Sequence, residues 1–309
     1  KRSDAKQDKR TILQKMMVNY AKFGASNPAT NLLSEEELNK LQPEQIAALI
    51  KSLMSYQHKI LYYGPKLVGD IKDVLNAVHI IPQTGLKPVP AEANFVNQVF
   101  NNTVYVVDYD MKQAEIVILT EGDKFDAKNI PLINMYNEYF GGGMSSVVFQ
   151  DLRESKALAY SCYSTYRAPR DPKVPFYNFS YIGSQADKLP EAMAGMMNLL
   201  NDVPKSDIAF GAAKEAILQG IKTERINKAD ILFNYLDAEK FGLKADIRKD
   251  VYSQVATMTY DDVKKFQDSK IKNKPATILI LGKKELLDIK TLEKYGTVKY
   301  LTLNDVFGY

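Results

Sequence analysis

Asn19–Gly24 (NYAKFG) returns near the far end of the chain as Asp237–Gly242 (DAEKFG), at an offset of 218 residues. Gln42–Ile46 (QPEQI) opens a helical pattern ahead of His58–Gly64 (HKILYYG). Thr259–Val263 (TYDDV) does the same ahead of Thr277–Gly282 (TILILG), at an offset of 217 to 218. Elements kept in order at nearly one spacing mark a duplicated structural unit. Each copy reads as the closing part of one domain type: helices, a capped helix, then a core strand that stops at glycine. The first copy has no strands ahead of it. Residues 1–80 therefore read as the C-terminal part of a truncated domain, and 102–309 as a complete one. Between them, 81–101 reads as a linker punctuated by Pro82, Gly85, Pro88 and Pro90. A start at Lys1 rather than at methionine agrees with a fragment.

With 309 residues and 45% hydrophobic content, the chain can bury a sizeable core. Its net charge of +4 comes from 41 basic and 37 acidic residues spread along the chain, with no basic stretch beyond the first ten residues that would track nucleic acid. No run approaches the roughly 18 apolar residues of a membrane span, and KRSDAKQDKR has no apolar signal core behind it. A single cysteine, Cys162, excludes an internal disulfide and a thiolate metal cluster, and reads as a small strand residue. His58 and His79 are the only histidines. There is accordingly no H-x-x-E-H or its inverted form, and no metal or cofactor is expected in this chain. His58 reads as a structural residue with no second histidine at metal spacing.

Within 102–309, Thr103–Asp108 and Glu115–Thr120 read as strands joined by the turn Tyr109–Gln113. Ile130–Phe140 reads as a helix, and Tyr160–Arg167 and Phe176–Gly183 as an antiparallel pair around the loop 168–173. Helices are expected at about 187–201, 206–226, 229–241, 244–256 and 260–269, with Ser206 and Thr259 as N-caps, before a last core strand at Thr277–Leu281. Strands first and helices afterwards imply an α+β domain, a mainly antiparallel sheet with helices packed on one face.

The chemistry concentrates in Tyr139–Ser161, YFGGGMSSVVFQDLRESKALAYS. Gly141, Gly142 and Gly143 permit φ > 0 and a close approach of another chain. Met144, Val147, Val148 and Leu152 recur at helical spacing. Arg153 ends that helix, and Tyr160 opens a strand seven residues later, so a fixed cation and a phenol can share one rim of a groove. The triplet does not continue into Gly-Lys-[Ser/Thr], which speaks against a phosphate loop and leaves a plain turn or a substrate-adjacent loop. Arg153 read alone is a helix-surface cation paired with Glu154 or Asp151, and Tyr160 the start of a half-buried strand. Tyr163, Tyr166, Phe176, Tyr177, Phe179 and Tyr181 read mainly as core.

Gly-Gly-Gly-Met-Ser-Ser, Phe149-Gln150-Asp151-Leu152-Arg153-Glu154 and Leu158-Ala159-Tyr160-Ser161 together resemble the C-terminal half of the M16 zinc metallopeptidases, the insulinase or pitrilysin family. Ala157 departs from the pattern, in which glycine is common. The resemblance implies M16-like domains and an N-terminal half of the same parent protein that carries zinc and the catalytic glutamate. It implies that Arg153 and Tyr160 reach the peptide backbone near the scissile bond, and that the Gly141–Gly143 loop handles peptide. This chain alone is then expected to be inactive, its partners being the catalytic half and peptide substrates, with a homodimer also admitted. The alternative is a noncatalytic scaffold or binding subunit beside a separate catalytic subunit. The residues leave the compartment open, and resemblance to bacterial members implies the periplasm or cell envelope.

Overall fold

The computed structural model describes residues 1–169 and 171–309; Arg170, within the loop expected at 168–173, lies outside the described residues. Among the described residues six strands form one sheet: β1 (Thr103–Asp108), β2 (Gln113–Glu121), β3 (Ser161–Arg167), β4 (Tyr177–Gln185), β5 (Ala276–Gly282) and β6 (Thr297–Leu301). Their order is β3-β4-β2-β5-β1-β6. The pairs β3–β4, β2–β4 and β2–β5 are antiparallel, and β1 lies parallel to both β5 and β6. The sheet is thus mainly antiparallel, as expected for the α+β class.

In sequence β1 and β2 follow one another across a short turn. They are not paired, because β5 lies between them. All seven residues of β5 are buried, and an apolar run buried on both faces has to occupy the middle of a sheet.

Alternation assigns side chains to two cores. Ile116 and Ile118 of β2, Ile182 of β4, and Ile278 and Ile280 of β5 face one layer. That layer contains the helices Ile130–Asn137, Leu189–Asn201 and Tyr260–Lys270, with Val251 and Val255 of Ile247–Thr257 and Ala213 of Asp207–Thr223. Val117 and Leu119, Tyr177, Phe179 and Tyr181, and Leu279 and Leu281 face the opposite way. That second face is covered by Ile12, Leu13, Met16 and Met17 from the start of the chain and by Val306 and Phe307 from its end. The main helical layer therefore lies on one face, and the two chain termini close the other.

The aromatic strand pair is packing on both faces. Tyr166 and Phe176 are buried on the helical side, and Tyr177, Phe179 and Tyr181 on the other. Ser206 caps its helix by accepting from the Ala209 N–H at 3.2 Å. At the Thr259 helix start, the Asp262 carboxylate receives both the Thr259 N–H and its hydroxyl at 2.8 Å.

The repeat is only partly visible as shape. Val18–Phe23 and Lys228–Lys240 are both helices that stop close to a left-handed glycine, Gly24 at φ 80° and Gly242 at φ 65°. His58–Gly64, by contrast, is not the expected core strand: Ile60, Tyr62 and Tyr63 are exposed and carry no regular structure. A strand needs a sheet beside it, and among the described residues one isolated bridge, Tyr56 to Lys87, forms here.

Candidate functional site

The helix Ile130–Asn137 passes into a π-helical turn, Glu138–Gly142, that lies across β3. The Asn137 amide fixes the crossing: its Nδ2 donates to the Tyr166 carbonyl at 3.1 Å and its Oδ1 accepts the Tyr166 N–H at 2.7 Å. The glycine triplet follows from this contact. A Cβ on Gly141 would lie 2.3 Å from the Ser164 carbonyl oxygen and 2.5 Å from its nitrogen, so only glycine lets the turn rest on the strand backbone. None of the three glycines uses the positive φ open to it. Gly141 is a buried packing residue, whereas Gly142 is exposed and Gly143 is extended at φ −141°.

Past the triplet, Val147, Val148 and Leu152 are buried, while Met144, expected on the same face, is 75% exposed. The short π-helical segment Phe149–Ser155 ends at a turn organised by one acceptor. The Leu152 carbonyl receives the N–H groups of Leu158 at 2.8 Å and Ala159 at 3.3 Å. Arg153 is the first residue inside this closed loop and Tyr160 the first beyond it. Ala157, within the turn, has φ 48°. That is the left-handed region, where a non-glycine residue costs roughly 1 kcal/mol, which gives the glycine common at this position its physical reason.

Arg153 is exposed. Its guanidinium carbon stands 4.7 Å from the Phe149 ring centroid, and its Nε is 3.7 Å from Glu154 Oε1. Asp151, the other partner considered, is engaged by Lys156 Nζ at 2.6 Å.

Tyr160 immediately precedes β3 and donates its N–H to the Gly183 carbonyl at 3.0 Å. Its ring covers Gly183, where a Cβ would come within 2.8 Å of the ring. Burial, followed by the charge of Glu115, pushes the Tyr160 phenol up to about 12. The hydroxyl is then a neutral donor at every physiological pH.

Two residues escaped the sequence reading. Gly183 had a signal, since an isolated glycine in a strand marks close approach of another group. Glu115 had none, because it joins Tyr160 only through the register Ser161–Gly183–Glu115 across three strands. Glu115 is half-buried, with its own pKa raised chiefly by burial, and the Tyr181 phenol is pushed upward first by its own burial and then by the Glu115 charge. It lines a cleft of about 520 Å3 with Lys9, Arg10, Ser161, Tyr163 and Tyr181, and Lys9 Nζ lies 3.9 Å away.

Cys162 lies in the core with its Sγ 3.5 Å from the Val148 carbonyl. Burial pushes the thiol up to about 11, leaving it a packing group rather than a nucleophile. Among the described residues, no three of His, Cys, Asp and Glu come together to hold a metal. No helix among them is long and apolar enough to cross a membrane.

The same arrangement of sheet and helices occurs in a peptidase M16 inactive domain from Pseudomonas fluorescens, at TM-score 0.68 and 16% identity over 91% of this chain and 67% of that one. Complex III2 from Candida albicans contains a chain that matches at TM-score 0.62 and 15% identity, over 96% of this chain and 72% of that one. The periplasmic protease PqqL from Escherichia coli matches at TM-score 0.61 and 13% identity, over 91% of this chain but 31% of its own. No curated protein sequence matches the chain. A sequence profile described as the Peptidase M16 inactive domain matches residues 43–209, more than half of the chain, and the chain belongs to that family, as an M16 C-terminal half.

Proposed function

We propose that the chain is the non-zinc-binding portion of a zinc-dependent M16 endopeptidase, which binds peptide, helps close the catalytic chamber and presents Arg153 and Tyr160 to the substrate carbonyl. The observation that carries this reading is the turn closed on the Leu152 carbonyl, which holds an exposed Arg153 within it and an exposed Tyr160 just beyond it, with the phenol held neutral. A guanidinium and a neutral phenol both donate hydrogen bonds to an oxygen that gains negative charge. The exposed Gly142 and half-buried Gly143 would accommodate the peptide backbone beside them.

The residues present do not fit a hydrolytic zinc site, which needs three protein ligands and a carboxylate base. In this proposal zinc belongs to the N-terminal half of the parent protein, where it would supply the activated water. The residues of this chain orient the peptide and stabilise charge.

Partnership with another part of the parent draws support from the repeat. Val263, Phe266, Gln267 and Ile271 are buried in the second copy, whereas their counterparts Ile46, Leu49, Ile50 and Met54 are exposed by 42% to 61%. An apolar face this continuous calls for a covering surface, and we assign it to a sheet in the N-terminal direction of the same parent protein. Residues 1–80 would then contribute the closing part of that domain, its first stretch, Ile12–Ala21, also packing on the sheet of 102–309, and 81–101 would be the linker to the domain 102–309.

A noncatalytic scaffold is the second reading, favoured by the local engagement of Arg153 with Phe149 and Glu154 and by the likeness to a chain of Complex III2. Tyr160→Phe in the intact protein separates the two. Losing one neutral donor of about 1 to 1.5 kcal/mol is expected to lower kcat for peptide hydrolysis about tenfold. An unchanged kcat would remove Tyr160 from the chemistry and favour the scaffold.

A further inference from the structure

The two histidines of the chain, 21 residues apart in sequence, meet in the fold with their Nε2 atoms 3.0 Å apart. Their rings stand edge to face, at an interplanar angle of 80°. This overturns the reading of His58 as lacking a second histidine at metal spacing. They sit at the neck of an excursion that carries the helix Val68–Val78. Two backbone hydrogen bonds of 2.8 Å close that neck, from Gln57 N–H to the Lys87 carbonyl and from Lys87 N–H to the Ser55 carbonyl. Lys59, the next residue, turns away to pair with Glu239.

The tautomer of His58 follows from its surroundings. Nδ1 lies 2.6 Å from the Tyr56 carbonyl, which can only accept, so Nδ1 carries the proton and Nε2 keeps its lone pair. A backbone carbonyl on the far nitrogen is the outer-shell arrangement that orients metal-ligating imidazoles. The His79 ring supplies the second nitrogen. A metal about 2.0 to 2.1 Å from each nitrogen would subtend roughly 91 to 97° at their 3.0 Å separation. That is the cis angle of a square-planar or octahedral centre, the geometry of Cu(II) and Ni(II), which favour imidazole ligands.

We propose that His58 and His79 form a two-imidazole site for a divalent transition-metal ion, of the Cu(II) or Ni(II) class, that clips the excursion shut at its neck. No carboxylate or thiolate among the described residues joins the pair as a third ligand, so water or a partner's donor completes the coordination. Metal takes the place of the hydrogen bond between the two Nε2 atoms. The His79 proton moves to Nδ1, so two neutral rings bind without net proton release. With no carboxylate base in the group, the site is assigned to structure rather than to hydrolysis, and it does not depend on the proposed peptidase role.

The test is calorimetric titration of the 309-residue chain, free of any polyhistidine tag, with NiCl2 and with CuCl2 at neutral pH. One equivalent is expected to bind the wild type, with affinity reduced at least about tenfold in His58→Ala and in His79→Ala. The Cu(II) electron paramagnetic resonance spectrum is expected to show two imidazole nitrogens in the wild type and to lose that signature in either variant. His58 is exposed and His79 half-buried, so far-UV circular dichroism should confirm that both variants are folded. His79→Gln, which keeps bulk without a ring nitrogen, should behave as His79→Ala. Equal affinity in wild type and the double variant would overturn the site, as would the absence of a stoichiometric binding event in the wild type.

Discussion

Arg153→Ala in the intact protein is expected to lower kcat for peptide hydrolysis roughly 100- to 1,000-fold, the usual loss when one preorganised donor to a developing oxyanion is removed. The guanidinium serves this role because its charge is permanent and its donors are fixed in a plane. Its present contacts are weak and exposed, a Phe149 ring face at 4.7 Å and Glu154 at 3.7 Å, so substrate can draw it away at small cost. For the same reason its loss should leave the fold intact, at a cost below about 1 kcal/mol. The expected pattern is a fall in kcat with KM and the thermal midpoint little changed, a pattern that misfolding does not produce. Hydrolysis at the wild-type rate would refute the role given to Arg153.

The second large effect concerns stability. Gly141→Ala places a methyl carbon 2.3 Å from the Ser164 carbonyl oxygen, 2.5 Å from its nitrogen and 2.8 Å from its Cα. These are backbone atoms that have no rotamer with which to escape. β3 cannot yield, because it is paired along its length with β4 and its Ser164 hydroxyl is 2.8 Å from that of Ser180. The turn must move instead, drawing Tyr139 and Phe140, both fully buried, away from the core. A destabilisation of at least about 3 kcal/mol is expected, read as a lower urea midpoint. Gly143→Ala is the matched comparison, since its Cβ would meet only the flexible Glu138 carboxylate, at 3.4 Å, with φ already extended. Its midpoint should fall within about 0.5 kcal/mol of wild type. Equal midpoints for Gly141→Ala and wild type would contradict the close-contact account.

Local signals carried much of this structure into the sequence. The strands, the capping at Ser206 and Thr259 and the seven-residue step from Arg153 to Tyr160 are properties of short stretches. What depends on distant partners was hidden. β5 separates β1 from β2 although its sequence lies more than 150 residues further on. His58–Gly64 carries the residues of a strand, and no strand forms because no sheet stands beside it. Gly141, Gly142 and Gly143 look equivalent in sequence, yet only the first has a strand backbone against it. His58 and His79 meet only because the excursion between them closes on itself. Glu115 reaches the neighbourhood of Tyr160 through strand register, which no motif spells out.

The most direct test of the central claim is cleavage of a quenched fluorescent peptide by the intact parent protein, with and without a zinc chelator, beside the 309-residue chain alone. Cleavage by the parent that the chelator abolishes, with none by this chain, is the result predicted if the chain supplies substrate-orienting donors while zinc chemistry resides elsewhere in the protein. Hydrolysis by this chain alone, cleavage by the parent that persists in chelator, or a folded parent that cleaves no peptide would contradict it.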